Sequence, residues 1–280
     1  WELRATSTSA ALDRRVNILR GPRAEVKAAL AREGFHAEET SLSPWGLRLE
    51  ERLPIMTSVP FKEGRVEIQD EGSQLVAAMT GAGPNMRVLD YCAGAGGKTL
   101  AMAMMMENRG HVVACDVSEP RLEGAVKRLR RAGVHNVERH LLSTGDKWAK
   151  RRAGSFDRVL VDAPCSGTGT WRRNPDARVR TTQIDLEELL EKQAAILDTA
   201  AALVRPGGRL IYATCSLLKA ENADQVARFL DQHPDFRLVA SESDAMPASL
   251  RHESMISLTP ARHGTDGFFA AVMERITPEA

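Results

Sequence analysis

Cysteine is scarce in this 280-residue chain, and the four present, Cys92, Cys115, Cys165 and Cys215, form no Cys-x-x-Cys pair. That argues against a disulfide framework and against structural zinc, and no metal is expected. Long apolar runs are missing too. The most apolar helical candidate, KTLAMAMMME, is bounded by charge and falls short of the ~20 residues a membrane span needs. Nor does charge of one sign accumulate: 38 Lys and Arg against 37 Asp and Glu leave +1, so the molecule as a whole lacks the basic footprint of a nucleic-acid binder. The N-terminus, WELRATSTSAALDRR, has neither the basic start nor the apolar middle of a signal peptide. A cytoplasmic chain without a membrane partner is expected. It begins at Trp1 and not at Met, which leaves room for a segment upstream. Internal repeats and low-complexity linkers are absent, and nothing implies an oligomer.

What is present is an ordinary globular composition, 43% apolar and 27% charged, with length enough for a large core. From Arg87 onward apolar strands alternate with helical stretches: RVLDY, HVVACD, VERHLL, FDRVLVDA and RLIYATCS are strands, separated by helical segments such as EPRLEGAVKRLRRAG. The long helix beginning at Gln183 stops at the breaker RPGG. Repeated strand–helix–strand units with short links predict a doubly wound, mostly parallel sheet covered on both faces. SMISLTP and FFAAVMERI, joined through ARHGTDG, predict an antiparallel hairpin that finishes a seven-stranded sheet. Before Arg87 the pattern is a small α+β unit: a strand in RVNILR, a helix in PRAEVKAALAREG and a hairpin around Pro44-Trp45-Gly46. The expected division is residues 1–66 as a small domain and 67–280 as the catalytic domain, closely packed.

The first strand of the sheet runs into a glycine turn, Cys92-Ala93-Gly94-Ala95-Gly96-Gly97-Lys98, that opens a helix. Such a turn lets backbone approach a ligand, but it is common to several cofactor classes. A nicotinamide site expects GxGxxG, which this turn does not supply. S-adenosylmethionine (SAM) carries a carboxylate and a sulfonium in place of a pyrophosphate, and it fits Lys98 with the acids Asp90 and Asp116 better. Asp116, closing the second strand, suits the ribose hydroxyls, with a helix cap as its bland alternative.

Two further strands end in thiols: Asp162 and Cys165 in VDAPCSGTG, and Cys215 in ATCS. In a doubly wound sheet both lie on the ligand-binding rim. The chemistry that wants this set is methylation at carbon 5 of a pyrimidine: a thiolate adds to carbon 6, a carboxyl group such as Asp162 serves N3, and a base later removes the carbon 5 proton. Immediately downstream, Trp171 stands among Arg172, Arg173, Arg178 and Arg180, a group suited to phosphates and splayed bases.

Together VLDYCAGAGGKT, DAPCSGTG, RRNPD, PGGRLIYATCS, ENADQV and GTDGFF resemble the NOL1/NOP2/Sun family of RNA 5-methylcytosine methyltransferases, and most of all its bacterial branch, which modifies small-subunit ribosomal RNA. The resemblance runs from about Arg15 through nearly the whole chain. It implies that Cys215 is the nucleophile, that Cys165 assists release, and that Asp162 contacts both cytosine and cofactor. It also implies SAM contacts from Cys92 through Lys98 and from Asp116, with Arg121 nearby, and an RNA-binding small domain. Gln193, Glu221 and Asn222 match family positions, with helix surface, or capping for Asn222, as their alternatives. Two departures stand out: Gly94-Ala95-Gly96-Gly97 replaces the usual Ala-Pro-Gly-Gly, and the family's adenine-holding aspartate falls at HLLSTGD, where Ser143 takes the slot and Asp146 is displaced. Transfer RNA as substrate, and an assembly factor that binds RNA without catalysis, are the rival expectations.

Overall fold

The structure, a computed structural model, describes residues 5, 9–173 and 182–277. Two sheets organise the chain. The first is four-stranded and antiparallel, in the order β2-β3-β1-β4, from β1 (Asp13–Val16), β2 (Ala37–Glu39), β3 (Gly46–Leu49) and β4 (Val66–Ile68). Helix α1 (Arg23–Arg32) covers it, placing Val26 and Leu30 against Leu47, Ile55 and Phe61 in a small core. Strand β1 stops at Val16, short of the RVNILR expected from the sequence. Asn17 ends it by accepting from the Leu19 amide, while its Nδ2 donates to the carbonyls of Gly64 and Ala132.

The second sheet is eight-stranded, ordered β10-β12-β9-β8-β5-β6-β7 with β11 beside β12. Its parallel part comprises β5 (Arg87–Asp90), β6 (His111–Asp116), β7 (Val137–Leu141), β8 (Phe156–Asp162) and β9 (Val204–Thr214). Strands β11 (Met255–Leu258) and β12 (Phe268–Arg275) form the expected antiparallel hairpin, and β12 pairs antiparallel with β9. The strand beyond the expected seven is β10 (Phe236–Leu238), three residues long and too short to carry a pattern. RPGG, read as a breaker, does end the helix, but it lies inside β9. The register with β8 jumps there, from Phe156↔Val204 to Arg158↔Arg209, so the Pro and Gly residues form a bulge at the strand's start.

Helices α2 (Glu71–Met79), α3 (Gly97–Met105), α4 (Glu119–Ala132), α5 (Gln183–Ala201) and α6 (Ala223–Gln232) cover the sheet. One face buries Leu75, Met102, Met104 and Ile211; the other buries Val113, Phe156, Leu197, Tyr212 and Phe229. Burial on both sides explains why these strands read as continuous apolar runs. The small sheet packs directly on this body. Arg15, 2% exposed, donates to Gln69 at 2.6 Å, and Arg131 lies over the Phe61 ring and bonds Glu67 at 2.6 Å. The strand order reverses between β5 and β8, and the crevice beyond their carboxyl ends is where such a fold places its ligand. No helix among the described residues is long and apolar enough to cross a membrane.

Candidate active site

A cavity of about 880 Å³ opens at this switch point. Cys92, Ala93, Gly94, Ala95, Asp116, Arg121, Asp162, Cys165 and Cys215 all line it. Gly97 and Lys98 instead line an adjoining cavity of about 310 Å³ that reaches toward Gln69, Asp70 and Arg128, and Cys92, Ala93 and Asp162 border both. Gly96 lies beneath the turn as the left-handed N-cap of α3, at φ 80°. The sequence-predicted residues therefore converge. The cavity wall also includes Tyr91, Leu142, Thr144, Lys192 and Ile196, which sequence reasoning missed. Lys192 and Ile196 share one face of α5, so their spacing was the available signal, hidden within a helix read only for its leucines.

The glycine turn is braced from behind. One Asp116 oxygen accepts from the Gly94 amide at 2.8 Å and the other from the Ser118 amide at 2.8 Å. Asp116 is thus not the helix cap; Ser118 occupies that position. Beneath the turn Asp90 is 1% exposed and accepts from Thr99 at 2.7 Å, while its second oxygen has no partner. Burial pushes its pKa up to about 7, against the Thr99 hydrogen bond. Lys98 reaches over the turn to Asp162 at 2.6 Å and sits 5.4 Å from the Phe268 ring centroid. Burial works to lower the Lys98 pKa, but Asp162 and Asp90 outweigh it and raise it, so the ammonium stays charged. After β7, Ser143 and Thr144 face the cavity, whereas Asp146 is taken up by His140 at 2.6 Å and by the Trp148 amide at 2.8 Å.

The two rim cysteines meet. Asp162 on β8 pairs with Ala213 on β9, and the loops beyond bring the sulfurs of Cys165 and Cys215 to 3.4 Å. They titrate as one pair. The hydrogen bond from Cys165, helped by Lys98, lowers Cys215 below an ordinary thiol despite burial and Asp162. The same bond, with burial, raises Cys165 well above one. Both directions favour negative charge on Cys215 over Cys165. Cys92 and Cys115 are pushed up by burial and stay protonated.

Behind the sulfurs the loops are locked together. Gly169 donates its amide to the Cys215 carbonyl at 2.9 Å and accepts from Gly267 at 2.8 Å; a Cβ on Gly169 would fall 2.3 Å from the Gly267 carbonyl oxygen. The GTG and GTDG motifs are therefore a backbone-on-backbone contact. Gln193, Glu221 and Asn222 are all buried at this junction, so the helix-surface alternative does not hold for Gln193 and Glu221, while Asn222 does take the N-cap position of α6 without its side chain capping an amide. Asn222 receives the Thr214 hydroxyl at 2.5 Å and donates to the Ser216 carbonyl at 2.9 Å.

The arginines after Trp171 need a correction. Arg172 and Arg173 were expected at phosphates, but Arg172 donates to Asp266 at 2.5 Å and Arg173 to Asp266 and to Asp70, the latter at 3.1 Å. Arg172 has 5% of its side chain exposed. Two buried carboxylates need cations more than a phosphate does, and sequence spacing cannot reveal that need. Arg178 and Arg180, with the rest of RRNPD from Asn174, lie outside the described residues.

A doubly wound sheet with a glycine turn after its first parallel strand, a braced acid after the second and a cavity of cofactor size is the architecture of the SAM-methyltransferase fold. The family model described as 16S rRNA methyltransferase RsmB/F matches residues 79–274, and the chain belongs to that family. It is 35% identical over 94% of its length to a probable ribosomal RNA small subunit methyltransferase B of Synechocystis, and 34% identical over 93% to the one of Bacillus subtilis. It spans about 60% and 59% of those two relatives. A crystal structure of a methyltransferase homolog protein from Pyrococcus horikoshii superposes with a TM-score of 0.82 at 28% identity, covering 98% of this chain and 90% of that one.

Proposed function

We propose that this chain methylates carbon 5 of a cytosine in structured RNA, with small-subunit ribosomal RNA as substrate, through a covalent cysteine–cytosine intermediate. The observation that carries the proposal is the pair of sulfurs 3.4 Å apart on the wall of the cofactor cavity. The names of the curated relatives supply the RNA.

Asp116 and the turn from Cys92 to Lys98, with Arg121, would hold SAM. The cavity volume suits it, and each Asp116 oxygen, bonded to one backbone amide, keeps a lone pair for a ribose hydroxyl. When bound, SAM supplies an electrophilic methyl group. The chain's own residues do the rest. Cys215 as thiolate adds to carbon 6 of the flipped cytosine, and the ring's electron pair moves to carbon 5. Asp162, held by Lys98, is the proposed partner of the ring's N3 as charge develops there. Once carbon 5 is methylated, Cys215 is a thioether without charge. It no longer accepts the Cys165 proton, so the largest of the influences that raised Cys165 is removed, while burial remains. Cys165 then gives its proton to water and, as thiolate, takes the carbon 5 proton; the carbon 5–hydrogen pair forms the carbon 5–carbon 6 double bond and Cys215 leaves carbon 6 as a thiolate. Residues 1–66 are proposed as an RNA-binding domain and 67–280 as the catalytic one.

The test is transfer from labelled SAM to unmodified small-subunit ribosomal RNA and to transfer RNA. Cys215→Ala should lose at least ~10³-fold in rate. Cys165→Ala should accumulate a protein–RNA adduct stable to denaturing gels. An adduct that survives Cys215→Ala and needs Cys165 reverses the two roles, and wild-type protein inert on both RNAs sinks the proposal.

A further inference from the structure

We infer that Glu221 is a positioning residue: its buried carboxylate ties the loop after β8 to the loop after β9 and so sets the distance between Cys165 and Cys215. The inference rests on the proposed chemistry only for its purpose; the geometry stands by itself. Glu221 is 0% exposed, in a short turn between β9 and α6. A carboxylate removed from water to that degree survives only if donors replace the lost hydration. Four do. Its Oε1 accepts from the Ser166 amide at 2.8 Å and from Gln193 Nε2 at 3.0 Å. Its Oε2 accepts from the Ser166 hydroxyl at 2.5 Å and from the Ser216 hydroxyl.

The identity of the donors matters more than their number. Ser166 directly follows Cys165, and Ser216 directly follows Cys215, so one carboxylate grips the residue next to each sulfur. The grip is fastened on both sides. Ser166 and Ser216 hydroxyls lie 3.3 Å apart, and Thr168 reaches Ser216 at 3.1 Å. The Glu221 carbonyl accepts from Tyr212 at 2.7 Å, which anchors the turn to β9 itself. Gln193 also donates to the Pro164 carbonyl at 3.0 Å, extending the clamp to the residue before Cys165. Adjacent strands fix only the spacing of their backbones; the loops past their ends could splay. Two sulfurs that must reach adjacent carbons of one ring tolerate no such splay, since a misplacement of ~1 Å can cost about a hundredfold in rate.

A direct ruler for this distance needs neither RNA nor SAM. Diamide takes two electrons and two protons from a pair of neighbouring thiols, closing them to a disulfide and becoming the hydrazine. The rate of Cys165–Cys215 closure, read by mass spectrometry of peptides, reports their encounter. Glu221→Ala, which strands the Ser166 amide and Gln193, should slow closure about tenfold or more. Glu221→Gln should close near the wild-type rate. Its carbonyl can face Ser166 N–H and Gln193 while its amide donates to the two hydroxyls, which turn to accept. In transfer assays Glu221→Ala should lower kcat and leave KM for SAM unchanged, whereas a general loosening of the fold would raise KM as well. If Glu221→Ala does not fold, Ser166→Ala and Ser216→Ala each remove one strap, and each should slow closure by a smaller factor. A folded Glu221→Ala that closes at the wild-type rate overturns the inference, as do serine variants that close normally or a Gln variant as slow as Ala. Wild-type protein that closes rapidly yet transfers no methyl group would sink the proposed function and leave the clamp standing.

Discussion

The two walls of the crevice are held by different parts of the chain. On the β8–β9 side, the cysteine loops are backed by the Gly169 backbone contact but tied to each other mainly by side chains: a carboxylate on two serines, an asparagine on a threonine and a carbonyl. On the β5–β6 side, the glycine turn is fixed by its own backbone, with Asp116 bracing one amide and a left-handed residue opening the helix. The difference follows from what each wall must do. Two thiols that act on adjacent carbons of one ring need side chains placed to a fraction of an ångström. A cofactor laid along a turn needs exposed amides and a path free of Cβ atoms. Damage to the first wall should therefore appear in the chemical step, and damage to the second in cofactor affinity and stability.

The sharpest probe is Asp162, which borders both cavities and joins the walls through Lys98. Asp162→Ala removes the group proposed for the ring N3, and turnover should fall by about 10²–10⁴-fold. It also leaves Lys98, 11% exposed at its side chain, without its closest partner, and stability should drop by about 3 kcal/mol. Urea unfolding and single-turnover methylation together check both. A variant that loses only SAM affinity would assign Asp162 to the cofactor wall and break the comparison.

Beneath the turn, Asp90 couples the same region to pH. Its folded value of about 7 lies above its ordinary 3.8, so between these values the folded protein holds a proton that the unfolded chain releases. Stability is then greatest below the lower value and declines as pH rises through the upper one, by a few kcal/mol in all. Asp90→Asn should flatten this slope. Urea midpoints of both proteins from pH 5 to pH 8 give the difference, and equal slopes would show that Asp90 ionises normally.

Asp116→Ala should act on affinity. Losing charge-assisted hydrogen bonds of about 1.5–3 kcal/mol weakens SAM binding roughly 10–100-fold. Calorimetric titration reads the Kd, and the rate at saturating SAM should stay near that of the wild type. A fall in that rate at saturation would show that the two walls are not separable.

Much of this division was legible before any coordinates. Strand alternation from Arg87 gave the parallel sheet, and the two Cys motifs placed both thiols on one rim, because apolar runs and glycine turns are local signals. Long-range partnership was not legible. Arg172 and Arg173 read as phosphate ligands because their charge was visible and Asp266, ninety-odd residues away, was not. Glu221 read equally as a surface residue, since nothing near it in sequence announces four donors arriving from three other segments. The bulge at RPGG was hidden for the same reason: it exists only relative to β8.

The smallest effect tests the backbone wall alone. Gly96 caps α3 at φ 80°, and a Cβ there would lie 3.1 Å from the Cβ of Ala125 on α4. Gly96→Ala imposes a left-handed conformation that costs an L-residue roughly 1–2 kcal/mol, and it asks α4 to give by a few tenths of an ångström. Stability should fall by about that amount, read as a shift in urea midpoint without a change in slope. SAM binding should weaken only modestly, because the Gly94 amide and Asp116 are untouched. The diamide closure of Cys165 and Cys215 should be unchanged, since Glu221 and its donors belong to the other wall. If closure slowed along with stability, the turn and the clamp would be one cooperative unit, and the side-chain and backbone walls would have to be treated as a single device.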